Sequence, residues 1–399
     1  MQFLRQLKKW YLYKSKNYPV ILSPKVKSKG SVLLSYLSKS LEIMDEKNIY
    51  FNDHSNKWEC RQIAKIFTDF GYTVEAINFD DFKFIPQKKY DVVFDIHYNL
   101  QRFMPFLDKN TIKILHITGS YPRFSVNAEL ERVDDLELRR HFFISPKRIV
   151  DVELFDRSLK FADYCSLIGN DITLNTFPTN YINKITKIPV SSSRLNFIKN
   201  KQKFVPEKRE FLWFFGGGAV HKGLDRVLDV FSKNHDLILN IVGGIINEAD
   251  FCMLYSKELF DSPNIRYHGF LHPSDEKFID IISNCFCFIA PSCSEGISPS
   301  VTTLMQIGLY PIVSKNTGVD LPLNCGYFLE DSSVEEIEKV VYEVYNLSNQ
   351  KLEDEIFKIQ EFALREYSRK NFTFNITNFL EKILQNNERI YANRIYEKE

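Results

Sequence analysis

Short runs of apolar residues recur along the chain, and between them apolar residues repeat every three or four positions. In the first half, the runs that predict strands lie at residues 31–37, 73–77, 91–97, 111–118, 162–169 and 184–190. Runs with so few polar residues are typical of strands that are buried on both faces of a parallel sheet. Helical spacing is clearest over residues 57–70 and stops at Gly71, a residue that suits a helix C-terminus. The first half therefore predicts a parallel α/β domain.

A polar, basic stretch that contains a proline interrupts this alternation at residues 191–209. The pattern then restarts, with predicted strands at 211–217, 237–244, 264–270, 285–292 and 310–314, and predicted helices at 224–231, 275–284, 299–307 and from about 333 onward. We predict two doubly wound, Rossmann-like α/β domains that face each other across a cleft. Open parallel sheets bind ligands beyond the carboxyl ends of their strands, so we expect the ligand site in that cleft. The predicted boundaries are an N-terminal domain over 1–195, a linker over 196–209, a C-terminal domain over 210–372, and helices over 373–399 that could cross back to the first domain.

Composition narrows the function classes. The 399 residues carry a net charge of +1, which argues against a general nucleic-acid binder. Seven cysteines at irregular spacing suggest a reducing compartment, hence the cytoplasm. Cys285 and Cys287 alternate along a predicted strand, which favours buried thiols over metal ligands. No run of about 18 apolar residues exists that would predict a membrane span.

The first 30 residues are basic and contain no acidic residue. On a helix, one face would carry Phe3, Leu4, Leu7, Trp10 and Tyr11. This pattern suits an amphipathic helix that lies on an anionic lipid surface. The alternative interpretation is a solvated basic tail that packs loosely on the domain.

The stretch FFGGGAVHKG at residues 214–223 places three glycines between a predicted strand and a predicted helix. Gly216, Gly217 and Gly218 would let a ligand approach the main chain, and the following helix N-terminus would attract an anion. Lys222 is expected in the first helical turn, where its ammonium can reach back to that anion. The pattern is neither G-x-G-x-x-G nor a P-loop. The alternative is a tight strand–helix turn with a solvent-exposed lysine.

A second strand–loop–helix unit, PSCSEGISPSVTT, spans residues 291–303. Ser298 and Pro299 are placed to begin a helix, so that the amides of Ser300 and Val301 point out of its N-terminus. Glu295 lies in the loop before it, where a carboxylate can hold hydroxyl groups. A ligand that carries a diphosphate and a polyol fits the two loops together. The alternative is that Glu295 only complements the helix dipole.

These two motifs resemble the C-terminal domain of GT-B glycosyltransferases, especially glycosyltransferase family 4. The N-terminal half is similar in layout, with DVVFDIH at residues 91–97 matching a strand that ends in histidine. The resemblance implies a retaining, metal-independent enzyme that moves a sugar from a nucleotide-sugar donor. The chain contains no D-x-D motif, and we expect no metal or other cofactor.

The resemblance also implies roles for individual residues. Lys222 would contact the donor diphosphate and Glu295 the hydroxyls of the transferred sugar, both as catalytic residues. The remaining donor-binding positions would be Gly216, Gly217, Gly218, Gly296, Ser300, Val301 and Thr303. Two positions depart from the family pattern: Thr303 replaces a glutamate credited with the nucleotide ribose, and Gly217 replaces an arginine. Arg123, Arg132 or Arg148 could supply the missing charge.

By the same resemblance, the N-terminal domain would bind the acceptor, a glycan or a lipid-linked saccharide. His97 matches the strand-end histidine and is the third predicted catalytic residue. Weaker acceptor-side candidates are His54, Asn56, Gly119 and Ser120. The expected setting is cell-surface polysaccharide or glycoconjugate synthesis, with contact to the inner face of the cytoplasmic membrane. The alternatives are a non-catalytic GT-B protein that binds a partner transferase or a glycan, or another GT-B enzyme such as an epimerase or phosphorylase.

Overall fold

The computed structural model describes residues 19–193 and 205–396, with side chains up to residue 385. The described residues form two compact units. The first takes in residues 19–51, 56–117 and 153–166; the second takes in 52–55, 118–152, 167–193 and 205–396. The chain therefore passes more than once between the units.

The sheet of the first unit is mostly parallel. The seven strands of this sheet are β1 (Val20–Leu22), β2 (Gly30–Tyr36), β3 (Tyr72–Asn78), β4 (Val92–Asp95), β5 (Ile112–Ile117), β6 (Tyr164–Ile168) and β7 (Ile185–Ile188), in the order β1-β3-β2-β4-β5-β6-β7. The short edge strand β1 runs antiparallel to β3, whereas β2 pairs in parallel with β3 and β4. The side chains of β4 are buried along its whole length, as expected for a strand covered on both faces.

The second unit contains a six-stranded sheet in which every pair given for it is parallel. Its strands are β8 (Glu210–Phe215), β9 (Leu239–Gly243), β10 (Ile265–Tyr267), β11 (Cys285–Ala290), β12 (Tyr310–Ser314) and β13 (Tyr327–Leu329), in the order β10-β9-β8-β11-β12-β13. The central strands β8 and β11 are neighbours, and the two sequence motifs begin where these strands end. The sheet therefore brings the two motifs next to each other.

Helices follow most of the strands. In chain order they are α1 (Lys39–Glu42), α2 (Tyr50–Asp53), α3 (Ser55–Asp69), α4 (Asn99–Phe103), α5 (Pro122–Arg140), α6 (Val152–Phe161), α7 (Asp171–Leu174), α8 (Thr179–Ile182), α9 (Leu224–Phe231), α10 (Ala249–Leu254), α11 (Ser256–Phe260), α12 (Glu276–Asn284), α13 (Pro299–Ile307), α14 (Val334–Tyr345), α15 (Asn349–Glu366) and α16 (Arg369–Tyr396). Short 3-10 turns lie at Met104–Phe106, Ile245–Asn247 and Lys315–Thr317.

The predicted α/β class with two parallel-sheet domains is confirmed. The predicted amphipathic helix falls largely on residues outside the described part, although residues 20–22 form β1 rather than helix. Much of the predicted linker also lies outside the described part, so the domain boundaries stay predictions. Among the described residues, no helix is long and apolar enough to cross a lipid bilayer.

Candidate active site

A cavity of about 340 Å³ lies in the second unit, where strands β8, β9 and β11 end. Its lining residues are Asp53, His54, Arg148, Ser193, Phe214, Phe215, Gly216, Gly217, Lys222, Gly243, Phe270, Leu271, His272, Pro273, Glu295, Ser298, Pro299, Ser300 and Thr303. The carboxyl ends of parallel strands and the start of α13 thus converge on one pocket, the usual place for a ligand in this class of sheet. Both sequence motifs contribute to it, and we call it the strand-end cavity.

The glycine stretch forms a compact turn rather than the first turn of a helix. Gly218 and Gly223 have φ values of +81° and +70°, a conformation that glycine adopts without steric cost. The Lys222 amide donates to the Gly218 carbonyl at 2.8 Å, and α9 begins only at Leu224. The expectation that Lys222 lies in the first helical turn is therefore wrong: the turn, and not the helix, aims this side chain.

A carboxylate already covers part of the glycine stretch. Glu248 accepts hydrogen bonds from the amide of Gly218 at 2.6 Å and from that of Ala219 at 3.0 Å. These two amides already have a hydrogen-bond partner and are not free for a ligand. Gly216 and Gly217 line the cavity, and a Cβ at Gly216 would meet no heavy atom within 4 Å. The main chain that a ligand can approach is therefore the Gly216–Gly217 segment.

Lys222 and Glu295 form a direct ion pair in the cavity. Their side chains are 6% and 12% exposed, so the pair is largely shielded from water. Burial, with a further contribution from the nearby Arg148, lowers the pKa of Lys222 well below that of an ordinary lysine. The Phe215 ring centroid lies 5.3 Å from the ammonium. An anionic ligand here would restore the preference for the charged form.

The loop that carries Glu295 is held by its neighbours. Ser120 donates a hydrogen bond to the Glu295 carbonyl, and Ser294 Oγ donates to Ser120 Oγ at 3.0 Å. His221, next to Lys222, is bonded to the Ser294 carbonyl at 2.6 Å. A Cβ at Gly296 would lie 2.4 Å from the Ile168 carbonyl oxygen, so only glycine fits there. These contacts fix the Glu295 loop against the Lys222 turn.

The start of α13 contributes the opposite wall. Ser298 precedes the helix and uses its amide to bond the Thr317 carbonyl at 3.0 Å. Ser300 and Thr303 line the cavity, whereas Val301 is fully buried. Amides in the first turn of a helix have no partner within it, so those of Ser300 and Val301 lie at an electropositive end.

The predicted acceptor-side residues do not all lie at the strand-end cavity. His54 lines the strand-end cavity, and Gly119 and Ser120 lie beside the Glu295 loop, since a Cβ on Gly296 would come within 3.2 Å of the Gly119 Cα. Asn56 lies in α3, in the first unit.

His97 also belongs to the first unit, where its ring stacks 4.6 Å from Phe79. Burial lowers the pKa of His97, although Asp95 opposes this effect. The roles of His97 and Asn56 stay predictions.

The three arginines that could supply the missing charge lie in different places. Arg148 lines the strand-end cavity, and its side chain packs over Gly218. Arg132 is buried, donates to the Pro291 carbonyl at 2.9 Å and lines a second cavity of about 430 Å³. Arg123, at the start of α5, lines neither cavity.

The sequence motifs missed several lining residues. Gly243 ends β9, and Phe270, Leu271, His272 and Pro273 follow β10. The rule that ligands bind at the carboxyl ends of parallel strands applies to these strands as well and could have indicated them. Nothing local in the sequence marks Glu248, because its amide partners lie about 30 residues earlier in the chain.

Comparisons with known proteins agree with this geometry. Residues 196–357, which include both motifs, match the family model described as glycosyl transferases group 1. The chain carries a glycosyltransferase domain. This match confirms the prediction of a glycosyltransferase enzyme. A search of curated protein sequences found no significant match.

Solved structures of low sequence identity share the fold of this chain. Sucrose-phosphate synthase from Thermosynechococcus elongatus matches with a TM-score of 0.61 at 11% identity, over 89% of this chain and 99% of that one. Anabaena Alr3699/HepE in complex with UDP and glucose matches with a TM-score of 0.57 at 11% identity, over 88% and 100%. WaaG, a glycosyltransferase involved in lipopolysaccharide biosynthesis, matches with a TM-score of 0.55 at 14% identity, over 88% and 98%. The match to TarM covers only 54% of that chain. The GT-B fold is confirmed.

Proposed function

We propose that this glycosyltransferase transfers a sugar from a nucleotide-sugar donor to a glycan or lipid-linked acceptor. The observation that carries the proposal is the contact between the Lys222 ammonium and the Glu295 carboxylate inside the strand-end cavity. One group can neutralise a phosphate and the other can accept hydrogen bonds from hydroxyls, and the two lie side by side.

Lys222 would stabilise the charge that develops on the leaving diphosphate as the glycosidic bond breaks. An ammonium in a site with little water acts strongly on such a charge, because solvent screening is weak there. Burial and the nearby Arg148 lower the pKa of Lys222, and a bound diphosphate would favour the charged ammonium again. The open Gly216–Gly217 segment allows the phosphates to approach the main chain.

Glu295 would hold hydroxyl groups of the transferred sugar. It is held in place through its own carbonyl and through Ser294, so its carboxylate keeps a defined position beside Lys222. We propose transfer with retention, in which the departing phosphate oxygen accepts the proton of the acceptor hydroxyl. This scheme requires no strong protein base and, with Lys222 supplying positive charge, no metal ion.

The nucleotide is proposed to be a uridine diphosphate. HepE, which shares the fold, has been solved in complex with UDP and glucose. In this chain Phe270, Leu271 and Pro273 give one wall of the cavity an apolar surface, and Phe270 is 56% exposed. A planar base can pack on such a surface. Thr303 would meet the ribose through a hydroxyl rather than a carboxylate.

The acceptor and setting are proposed from the relatives. WaaG takes part in lipopolysaccharide biosynthesis, which supports a glycan or lipid-linked acceptor and a role in polysaccharide or glycoconjugate synthesis. We place the enzyme in the cytoplasm, with the basic stretch that precedes β1 against the inner membrane surface.

The test is release of nucleoside diphosphate from a panel of sugar nucleotides. Lys222→Ala and Glu295→Ala should each lower kcat/KM about 100-fold or more, because each removes a group that contacts the reacting part of the donor. Lys339→Ala is the control, since Lys339 is 71% exposed and pairs with Glu343 on α14. Equal turnover by the wild type and both cavity variants would contradict the proposed function.

A second candidate is a non-catalytic glycan- or donor-binding protein. The observation that favours it is Thr303, which lines the cavity where the family pattern has a carboxylate. This candidate predicts that the wild type binds UDP but releases no diphosphate from any sugar nucleotide, with or without acceptor saccharides.

A further inference from the structure

Arg148 shares the strand-end cavity with Lys222, although the two residues are 74 positions apart in the sequence. Its side-chain carbons lie 3.5 and 3.7 Å from where a Cβ on Gly218 would be. The guanidinium is close enough to lower the pKa values of both Lys222 and His221. Two cations from distant parts of the chain therefore face one pocket.

The position of Arg148 is built into the fold. Glu129 on α5 accepts hydrogen bonds from the amides of Lys147 and Arg148 at 2.6 and 2.9 Å. The same buried carboxylate lies 3.3 Å from His221 Nδ1, directly beside Lys222 in sequence. The Asp250 carboxylate forms a second contact with this segment, an ion pair with the Lys147 ammonium at 2.8 Å. The backbone that presents Arg148 is thereby tied to the turn that presents Lys222.

The two cations have unequal partners. Lys222 is already paired with Glu295, so its charge is largely balanced before any ligand enters. Among the residues that the structure describes, Arg148 forms no ion pair with a carboxylate. Holding two like charges in one cavity is unfavourable unless an anion is placed between them. A diphosphate carries at least two negative charges and needs more than the single, partly neutralised ammonium.

We propose that Arg148 binds the donor diphosphate as the second cation of the site. A guanidinium keeps its charge at every physiological pH and can bond two phosphate oxygens at once. Arg148 would thus supply the positive charge that Lys222 shares with Glu295. The inference rests on the proposed function, because it assigns a residue to the donor of that reaction.

The experiment measures UDP affinity by calorimetry in the full-length protein. Arg148→Met should weaken UDP binding roughly 10- to 100-fold, the usual effect of losing a charged hydrogen bond. It should also make UDP affinity less sensitive to salt concentration, because one ion contact is gone. Arg148→Lys should keep part of the affinity. Arg148 is exposed, so thermal unfolding should not change and the loss cannot come from misfolding.

Arg123→Met is the matched control, because Arg123 is an exposed arginine of the same unit that lines neither cavity. It should bind UDP as the wild type does. If Lys222→Ala abolishes UDP binding and Arg148→Met leaves it unchanged, Arg148 is not a ligand and the proposed function still stands. If the wild type binds neither UDP nor any other nucleoside diphosphate, the proposed function fails and the inference fails with it.

Discussion

At the scale of single residues, Gly296 shows how closely the site is packed. Three chain segments meet at this position: a Cβ there would lie 2.4 Å from the Ile168 oxygen and 2.9 Å from the Thr118 oxygen. These neighbours are backbone atoms, which cannot rotate away as a side chain can. Gly216, which lines the cavity, has open space where its Cβ would be.

Gly296→Ala should destabilise the protein by about 1–3 kcal/mol, because the added methyl group forces backbone to move. Gly216→Ala should stay within about 1 kcal/mol of the wild type, since its φ is not positive and nothing crowds it. Denaturant midpoints of the two variants would check this. An unchanged midpoint for Gly296→Ala would show that the segments do not cross as described.

At the scale of elements, α5 is attached to α9 mainly through charges. Asp229 on α9 contacts Arg139 of α5 and accepts from Arg140 Nε at 2.8 Å. Asp225 and Asp135 add ion pairs with Arg139 and Arg226. The aspartates of α9 are buried, and a buried carboxylate needs such partners to offset the loss of hydration.

Asp229→Ala should therefore destabilise the second unit by about 1–3 kcal/mol, because two arginines lose their acceptor in a place where water only partly replaces it. Asp69→Ala is the matched control. Asp69 pairs with Lys65 at a site where both side chains are more than half exposed, so its loss should cost about 0.5 kcal/mol or less. Urea unfolding of both variants measures the difference. Equal midpoints would mean that the α5–α9 charges contribute nothing.

The elements also show what the sequence could and could not predict. Helix 299–307 and strand 310–314 have the bounds that the sequence predicts, and Ser298 and Pro299 mark the start of that helix clearly. The ends of α5 could not be predicted in this way. Its buried residues include Glu129 and Arg132, so its inward face carries charges that periodicity counts as solvent-facing.

The residues of the candidate site also differ in how far the sequence could predict them. Lys222 and Glu295 could be singled out because each lies in a motif that joins a strand to a helix. Glu129 and Glu248 contact His221 and the glycine stretch across 30 or more positions of sequence, and no local pattern marks them. Arg148 could be named only as one of three candidate arginines, because its approach to Lys222 depends on the fold. Contacts of this kind depend on how the helices and strands pack together. Local sequence patterns do not determine that packing.

At the scale of the whole molecule, buried histidines make stability depend on pH. Burial lowers the pKa of His116 to about 3 and that of His221 to about 4, from an ordinary value of 6.5. Between pH 6.5 and about 4, the unfolded chain binds protons at these positions that the folded chain does not. The free energy of unfolding is therefore highest above pH 6.5 and falls as the pH falls, by up to about 1.4 kcal/mol per pH unit for each histidine.

Denaturant midpoints measured at intervals from pH 7 to pH 4.5 test this dependence. His116→Leu should lower the midpoint at pH 7 and flatten its fall toward pH 4.5, because one proton is no longer taken up on unfolding. A midpoint that rises toward pH 4.5 would contradict the assignment of neutral, buried rings.

A nucleoside diphosphate is proposed to bind between Lys222 and the Gly216–Gly217 segment. A crystal structure of the protein with UDP would show whether it does. We expect the distal phosphate in contact with both the Lys222 ammonium and the Arg148 guanidinium, with the base toward Phe270. UDP bound elsewhere, with Lys222 still paired only to Glu295 in an empty cavity, would contradict it.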